Sequence, residues 1–431
     1  MLSEAVRDAR DIYRAAIDAV EPASAVHRAL AFTTVPEGAR VFLIALGKAA
    51  PAMARAAVEH LRSTGEEPAG GIVIAHTESE RPHPRVEALV GDHPVPGARS
   101  AEAADRVGDL VRQVAPTDVV WVLLSGGTSS LIGAPVATLT TRELGALNEL
   151  LLGAGLAIGE INLIRKRVSR WAAGRLAAAL EPATVRVFAI SDVPDDDVTA
   201  IGSGPLAPDP TRPEDIAAML HRAGLWTRLP PAVRDLFGRD DVVRTPGAGS
   251  PVFRHVTTTV IASNGTAVRA ALARAKELGY RADQAGTPLE TEAALAGQSL
   301  ARELLDVAHG GRWCLVRGGE PVVTLSGSPN GQGGRAQELA LSAARRLAGA
   351  QDTPRALALL AAGTDGRDGP TDAAGAIVTP DTWDAVVRAG RDPERDLAAH
   401  DAYHALDAAG ALLRTGPTGT NVMDVVILLA R

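Results

Sequence analysis

Cysteine is nearly missing from this chain: Cys314 stands alone among 431 residues. An intramolecular disulfide is therefore impossible, a cysteine-based metal site has no basis, and the usage fits a reducing compartment. Cys314 lies in the apolar run 312–316 and reads as a buried structural thiol. Aromatic residues are scarce too, at 3%, so Ala, Leu and Val must fill the cores. No apolar run approaches the ~18 residues of a membrane span. Positive charge is not in excess: 44 Lys and Arg against 51 Asp and Glu give a net charge of −7. That balance argues against nucleic acid or a membrane surface as partner, while a local cation cluster can still hold an anionic substrate. A Walker A P-loop, the HRD and DFG elements of protein kinases, an HExxH helix and a GxSxG elbow are all absent. Histidines are not clustered, and only His93, in the loop Asp92-His93-Pro94, stands where a functional role is plausible on sequence grounds.

What is present is an α/β pattern. Hydrophobic residues make up 46%, enough for sizeable cores, and the length predicts two domains. The first residues form an amphipathic helix rather than a secretory signal, with Leu2, Val6, Ala9, Tyr13, Ala16 and Val20 at spacings of 3 and 4. A cytoplasmic protein is the expectation. Continuous apolar runs at 41–46, 71–74, 118–124 and 185–190 each precede a polar or glycine-rich loop. Continuous rather than alternating runs suit strands buried on both faces, and strand–helix alternation predicts a parallel, doubly wound sheet. Prolines crowd 206–255, which places the domain boundary near 240 and predicts domains 1–240 and 241–431. In the second half, strands are expected at 257–262, 312–317, 357–360 and 425–429.

In open α/β sheets ligands gather at the carboxyl ends of the strands, and the polar loops fall there. Lys48 follows the first strand at a helix start, where a cation gains nothing from the helix dipole. A nearby anion explains that position, although an ordinary solvated lysine does too. Ser125, Gly126, Gly127 and Thr128 form a turn that can cradle an anionic group or simply link strand to helix. Asp192 ends a strand ahead of Asp195-Asp196-Asp197. It is a candidate Mg²⁺ ligand, with a solvated acidic turn as the plain alternative. The stretch 330–335 brings Gly333 and Gly334 to Arg335, whose planar fork suits phosphate or carboxylate. The segment 363–372 carries Asp365 among three aspartates and three glycines, and 415–421 ends on Asn421. Two loose dinucleotide patterns, Gly331-x-Gly333-x-x-Ala336 and Gly202-x-Gly204-x-x-Ala207, keep an NAD(P)H-dependent reductase in view.

Taken together and in order, these loops resemble the class II glycerate kinases, the glycerate 2-kinase family with a C-terminal MOFRL domain. The matching stretches include Leu46-Gly47-Lys48, Asp92-His93-Pro94, Ser125-Gly126-Gly127, Arg165-Lys166, Ser191-Asp192-Val193, Gly318-Gly319-Glu320, Gly333-Gly334-Arg335, Gly363-Thr364-Asp365-Gly366 and Thr415 to Val422. The resemblance implies a Rossmann-like N-terminal domain, a MOFRL-type α/β C-terminal domain and an active site in the cleft between them. It implies phosphorylation of D-glycerate at the 2-hydroxyl with ATP and Mg²⁺. Lys48 and Arg335 match the family's basic active-site residues, and Asp192 and Asp365 become candidates for holding Mg²⁺ or orienting the hydroxyl. Ser125, Gly126, Gly127, Thr128, Asn264, Gly333, Gly334 and Asn421 become candidate substrate or phosphate contacts. Ala336, Pro194-Asp195 and Arg167 depart from the family pattern, which bears on substrate detail and loop geometry. The competing reading is an NAD(P)H-dependent hydroxypyruvate reductase, and a nucleotide-independent binding protein is a third. A homodimer is left open.

Overall fold

The computed structural model describes residues 4–136, 139–156, 158–238, 245–284, 286–307, 311–325, 331–350 and 356–431. Two compact units emerge, Pro22–Ile261 and a second made of Met1–Glu21 with Ala262–Arg431. Among the described residues no helix is long and apolar enough to cross a membrane.

In the unit Pro22–Ile261 six strands form one sheet: β1 (Val41–Leu46), β2 (Gly70–Ala75), β3 (Val86–Val90), β4 (Val119–Leu124), β5 (Thr184–Ile190) and β6 (Val256–Ala262). Their order is β3-β2-β1-β4-β5-β6, the order of doubly wound dinucleotide-binding folds. Strands β1 to β5 run parallel. Every residue of β1, β2 and β4 is buried, as the continuous apolar runs require when helices cover both faces. One face packs Phe42, Ile44, Ile72, Val120 and Val122 against Ala103 and Val107 of the helix Ala98–Val111. The helix Ala50–Ser63 packs on β1, β2 and β4. A separate helical cluster joins Leu147, Leu151, Ile164 and Val168 to Ile216, Leu220, Val233 and Leu236.

That helical cluster explains why the compact units divide elsewhere than near 240. The proline-rich stretch supplies two of its helices, Pro213–Arg222 and Pro231–Phe237, whose apolar faces are buried in the first unit. The strand expected at 257–262 does not open a second domain; it is β6, the strand beyond β5 in the first sheet. Three consecutive exposed threonines, Thr257 to Thr259, give it the look of an edge strand, not a central one.

The second unit carries a mixed sheet: β7 (Arg281–Gln284), β8 (Trp313–Gly319), β9 (Leu357–Gly363), β10 (Gly375–Val378), β11 (Leu412–Leu413) and β12 (Asp424–Ala430), in the order β11-β10-β9-β12-β8-β7. Among these described strands only β7 and β8 pair in parallel; β12 lies antiparallel between β8 and β9. The helices Ala293–Asp306 and Arg335–Leu347 pack on each other within one hydrophobic core. The N-terminal helix Glu4–Ala19 belongs to this unit and packs on the helix Asn264–Glu277 and on β9 and β12. Its Tyr13 hydroxyl donates to the Gly363 carbonyl at 2.6 Å. Cys314 is buried in β8, and burial pushes its thiol up to about 12.

Candidate active site

The first constellation lies where the strand order reverses, between β1 and β4. Gly47 has φ +117°, and a Cβ there would sit 2.2 Å from Ser125 Oγ and 2.4 Å from the Ser125 carbonyl oxygen. Only glycine lets the two strand ends approach so closely. The Lys48 N–H donates to the Gly126 carbonyl at 2.9 Å. Ser125 Oγ accepts from the Ala49 N–H at 3.1 Å, and the Thr128 hydroxyl donates to the Ser125 carbonyl at 2.8 Å. The buried Ser125 and Thr128 side chains thus shape the turn from within.

Three functional groups then meet the glycine pair. A Cβ on Gly126 would lie 1.9 Å from Asp192 Oδ2, so the carboxylate at the end of β5 rests directly over this glycine. A Cβ on Gly127, whose φ is +89°, would touch Lys48 Cγ and His93 Cδ2, each at 3.4 Å. Lys48, Asp192 and the Gly126-Gly127 turn are therefore brought to one place by three strand ends. His93 joins them, with His76 nearby at a ring-centroid distance of 6.2 Å. Burial first, and the Lys48 cation second, lower the pKa of both imidazoles. Neutral rings beside a lysine leave Lys48 as the local positive charge.

The second constellation surrounds Arg335, the first residue of the helix Arg335–Leu347. Its guanidinium grips Asp424 with two bonds, Nε to Oδ2 at 2.6 Å and Nη2 to Oδ1 at 2.9 Å, and a third nitrogen binds Glu320. Asp368 accepts from the Ala336 and Gln337 N–H groups at 3.2 and 2.8 Å, capping the same helix. The anion that a cation at a helix N-terminus calls for is thus supplied by the protein itself. Burial works against the Arg335 charge, but Asp424, Glu320 and Asp368 together raise its pKa above the ordinary value. Burial pushes the Asp424 carboxyl up while Arg335 opposes it; the two-bond grip of a permanently charged guanidinium makes this an ion pair. Asp368 is pushed up to about 7, by burial first, with the neighbouring Asp424 carboxylate adding to it.

Asp365 follows β9 and accepts from the Arg367 N–H at 2.9 Å. Its Oδ1 and that of Asp424 flank Gly363, at 3.3 and 3.4 Å from where a Cβ would stand. The remaining candidates in this unit do structural work. Asn264 Nδ2 donates to the Val422 and Asp424 carbonyls at 2.8 and 2.9 Å, bracing the strand that presents Asp424. Asn421 Oδ1 accepts from the Met423 N–H at 3.2 Å. Gly334 makes room for Asp368, whose Oδ1 would be 2.2 Å from an added Cβ, and the Gly333 carbonyl lies against Gly369. Asn330 lies outside the described residues.

Glu320, Asp368, Asp424, Tyr13 and His76 are not among the site residues that the sequence points to. Glu320 has a signal, since Gly318-Gly319-Glu320 ends a strand in the same way as the candidate loops. Asp424 has none, because one acid ahead of an apolar strand reads as a boundary. Among the described residues no group of three or more His, Cys, Asp or Glu is arranged to hold a metal ion. That arrangement still suits Mg²⁺ in phosphoryl transfer, which usually takes one or two carboxylates plus substrate phosphates instead of an all-protein cage. Asp192 over a glycine turn, and Asp365 beside Asp424, are carboxylates of that kind.

Residues 8–238 match a family described as a domain of unknown function, DUF4147, and residues 313–424 match the MOFRL family. The D-glycerate 2-kinase of Thermotoga maritima is 39% identical over 97% of this chain and 96% of its own length. A provisionally named hydroxypyruvate reductase of Agrobacterium vitis is 37% identical over 97% of this chain and 93% of its own. The crystal structure of a glycerate kinase from Thermotoga maritima superposes with a TM-score of 0.88 at 38% identity, covering 99% of both chains.

Proposed function

The chain belongs to the glycerate 2-kinase family built from these two domains, and from that premise we propose that it transfers the γ-phosphoryl group of ATP to the 2-hydroxyl of D-glycerate, releasing ADP and 2-phospho-D-glycerate. The observation that carries the reading is the meeting of Lys48, the Gly126-Gly127 turn and Asp192 at the switch point of the first sheet. Phosphoryl transfer asks a protein mainly for positioning and for charge neutralisation, and these groups supply both. Lys48 neutralises the transferring phosphoryl group. The backbone of 126–128, with its short helix start uncapped by any side chain, accommodates the phosphate oxygens. Asp192 orients the attacking hydroxyl and accepts its proton as the new P–O bond forms and the bond to ADP breaks.

In the second unit Arg335 holds Asp424 and Glu320 in fixed orientation. With Asp192 as the base, Asp365 is the carboxylate that would hold Mg²⁺, which would supply neutralisation of the phosphate oxygens.

The reductase reading has a relative's name in its favour and a sheet order shared with dinucleotide-binding folds. Against it, the first strand-to-helix turn reads Leu46-Gly47-Lys48-Ala49-Ala50, with one glycine where the dinucleotide fingerprint has three. Gly202 and Gly204 fall in and after a 3₁₀ turn, Ile201–Ser203, instead of opening a helix after a strand.

An ADP-release assay on Lys48→Ala tests the assignment. With native folding checked by circular dichroism, kcat/KM for D-glycerate should fall by about 100-fold or more, the scale for a lost electrostatic contact to a transition state. A variant of near-normal rate would remove Lys48 from the mechanism.

A further inference from the structure

A small pocket lined largely by polar side chains borders the short helix Thr128–Leu131, within the unit Pro22–Ile261. Its lining includes Ser129, Asn148, Arg165, Lys166, Ser169 and Ser203. Two of these residues lack what their chemistry demands. Asn148 is only 8% exposed, and its Oδ1 has no hydrogen-bond partner. A buried amide oxygen without a partner has given up its water and gained nothing in return, so an amide kept in this position calls for a ligand. Arg165 is half-buried, and no hydrogen bond or ion pair engages its side chain among the described residues. Burial lowers its pKa with no carboxylate to offset the effect.

Positive charge predominates around the pocket. Arg165, Lys166 and Arg167 are consecutive, and Arg175 stands behind them, donating to the carbonyls of Lys166, Arg167 and Ser169. A buried carboxylate, Asp209, serves this group, at 3.3 Å from Lys166 and 3.1 Å from Arg167. Asp209 is itself bonded by the Thr211 N–H and by the hydroxyls of Thr211 and Thr245. Arg165 is left over among the described residues, in a chain whose net charge is −7. Also lining the pocket, the Ser129 and Ser203 hydroxyls bond each other at 2.6 Å, so one of the two protons can turn to a ligand.

We propose that this pocket is the subsite for the carboxylate of the hydroxy-acid substrate, with Arg165 as its cation and Asn148 and the Ser129–Ser203 pair as neutral donors. The inference rests on the glycerate-kinase reading and adds to it the residues that separate an acid from a neutral polyol. A guanidinium fork matches a carboxylate in plane and charge. Asn148, turned end for end, presents its NH₂ group where the unmatched oxygen now lies. The cavity volume of about 20 Å³ admits the head of a carboxylate but not a nucleotide, and Ser129 adjoins the turn assigned to the phosphoryl group. Lys48 is thereby left for the phosphoryl group alone.

Two variants of the full-length enzyme test the subsite, with KM for D-glycerate and for ATP measured separately and glycerol as the uncharged comparison. Arg165→Gln should raise KM for D-glycerate about 10- to 100-fold, the range for a charge-assisted hydrogen bond, and leave KM for ATP in place. Its preference for D-glycerate over glycerol should shrink by the same factor. Asn148→Asp guards against misfolding, because the new carboxylate gives Arg165 an internal partner. That variant should melt no lower than wild type yet show the same rise in KM. An unchanged KM for D-glycerate in both variants, or a rise confined to ATP, overturns the subsite while wild-type turnover upholds the kinase reading. Wild-type enzyme that neither binds D-glycerate in calorimetry nor phosphorylates it overturns the kinase reading instead.

Discussion

At Arg335 every arm of the guanidinium is filled by a protein carboxylate, two bonds to Asp424 and one to Glu320. Removing one partner of such a pair strands the other, and Asp424 is buried. Arg335→Ala should therefore destabilise the fold by about 3 kcal/mol, toward the low end of the range for broken buried pairs because the arginine is itself a third exposed. Adding Asp424→Asn should recover part of that loss in a urea titration. Equal stability of the single and double variants would show that the pair is not coupled. At this scale the sequence was informative about Lys48, Asp192 and Arg335, whose positions at strand and helix ends are readable from periodicity. It was silent about Asp424 and Asp368, because their meaning depends on which loops the mixed sheet brings beside the Arg335 helix. Asn264, Gly333 and Gly334 show the converse. Residue type and place suggest ligand contacts, whereas their visible bonds and close approaches go to the protein's own backbone and carboxylates.

The helix Arg335–Leu347 carries a pH-sensitive cap. Its first turn is capped by Asp368, whose carboxyl is pushed up to about 7. A folded pKa above the unfolded value means that the protonated form is favoured by folding. The associated stability is complete below the ordinary carboxylate range near ~4 and is lost as pH rises through about 7. Asp368→Asn keeps a hydrogen-bond acceptor and removes the titration. Its melting temperature should thus gain on that of the wild type between about pH 4 and pH 7, by a few degrees. A constant gap between the two across that range would contradict the assignment. The strands of the first sheet were legible for a plain reason: β1, β2 and β4 are buried on both faces, and continuous apolar runs have few other uses. The strand 256–262 was legible as a strand but not as to its sheet. Its partner β5 is about seventy residues back in the chain, and no local pattern encodes that pairing.

For the molecule as a whole, the proline-rich stretch looks like a boundary because proline interrupts regular structure. Its helices instead complete the helical cluster of the first unit, and the N-terminal helix Glu4–Ala19 completes the second. Deleting residues 1–21 should accordingly raise amide exchange throughout Ala262–Arg431 and leave Pro22–Ile261 protected. Tyr13, with its bond to Gly363, and Arg431, paired with Asp8 and Glu4, mark where protection should be lost first. Unchanged exchange in the second unit would separate that helix from its stability. Such a discontinuous unit is hard to foresee, since an amphipathic helix announces a buried face without naming the surface that covers it.

The most direct test of the account is phosphorus NMR of the product formed from D-glycerate and Mg·ATP, run beside hydroxypyruvate with NADH and NADPH. The account predicts ADP together with the 2-phosphate resonance, and no oxidation of either reduced nucleotide. A 3-phosphate product, or NAD(P)H oxidation without ADP, would contradict it.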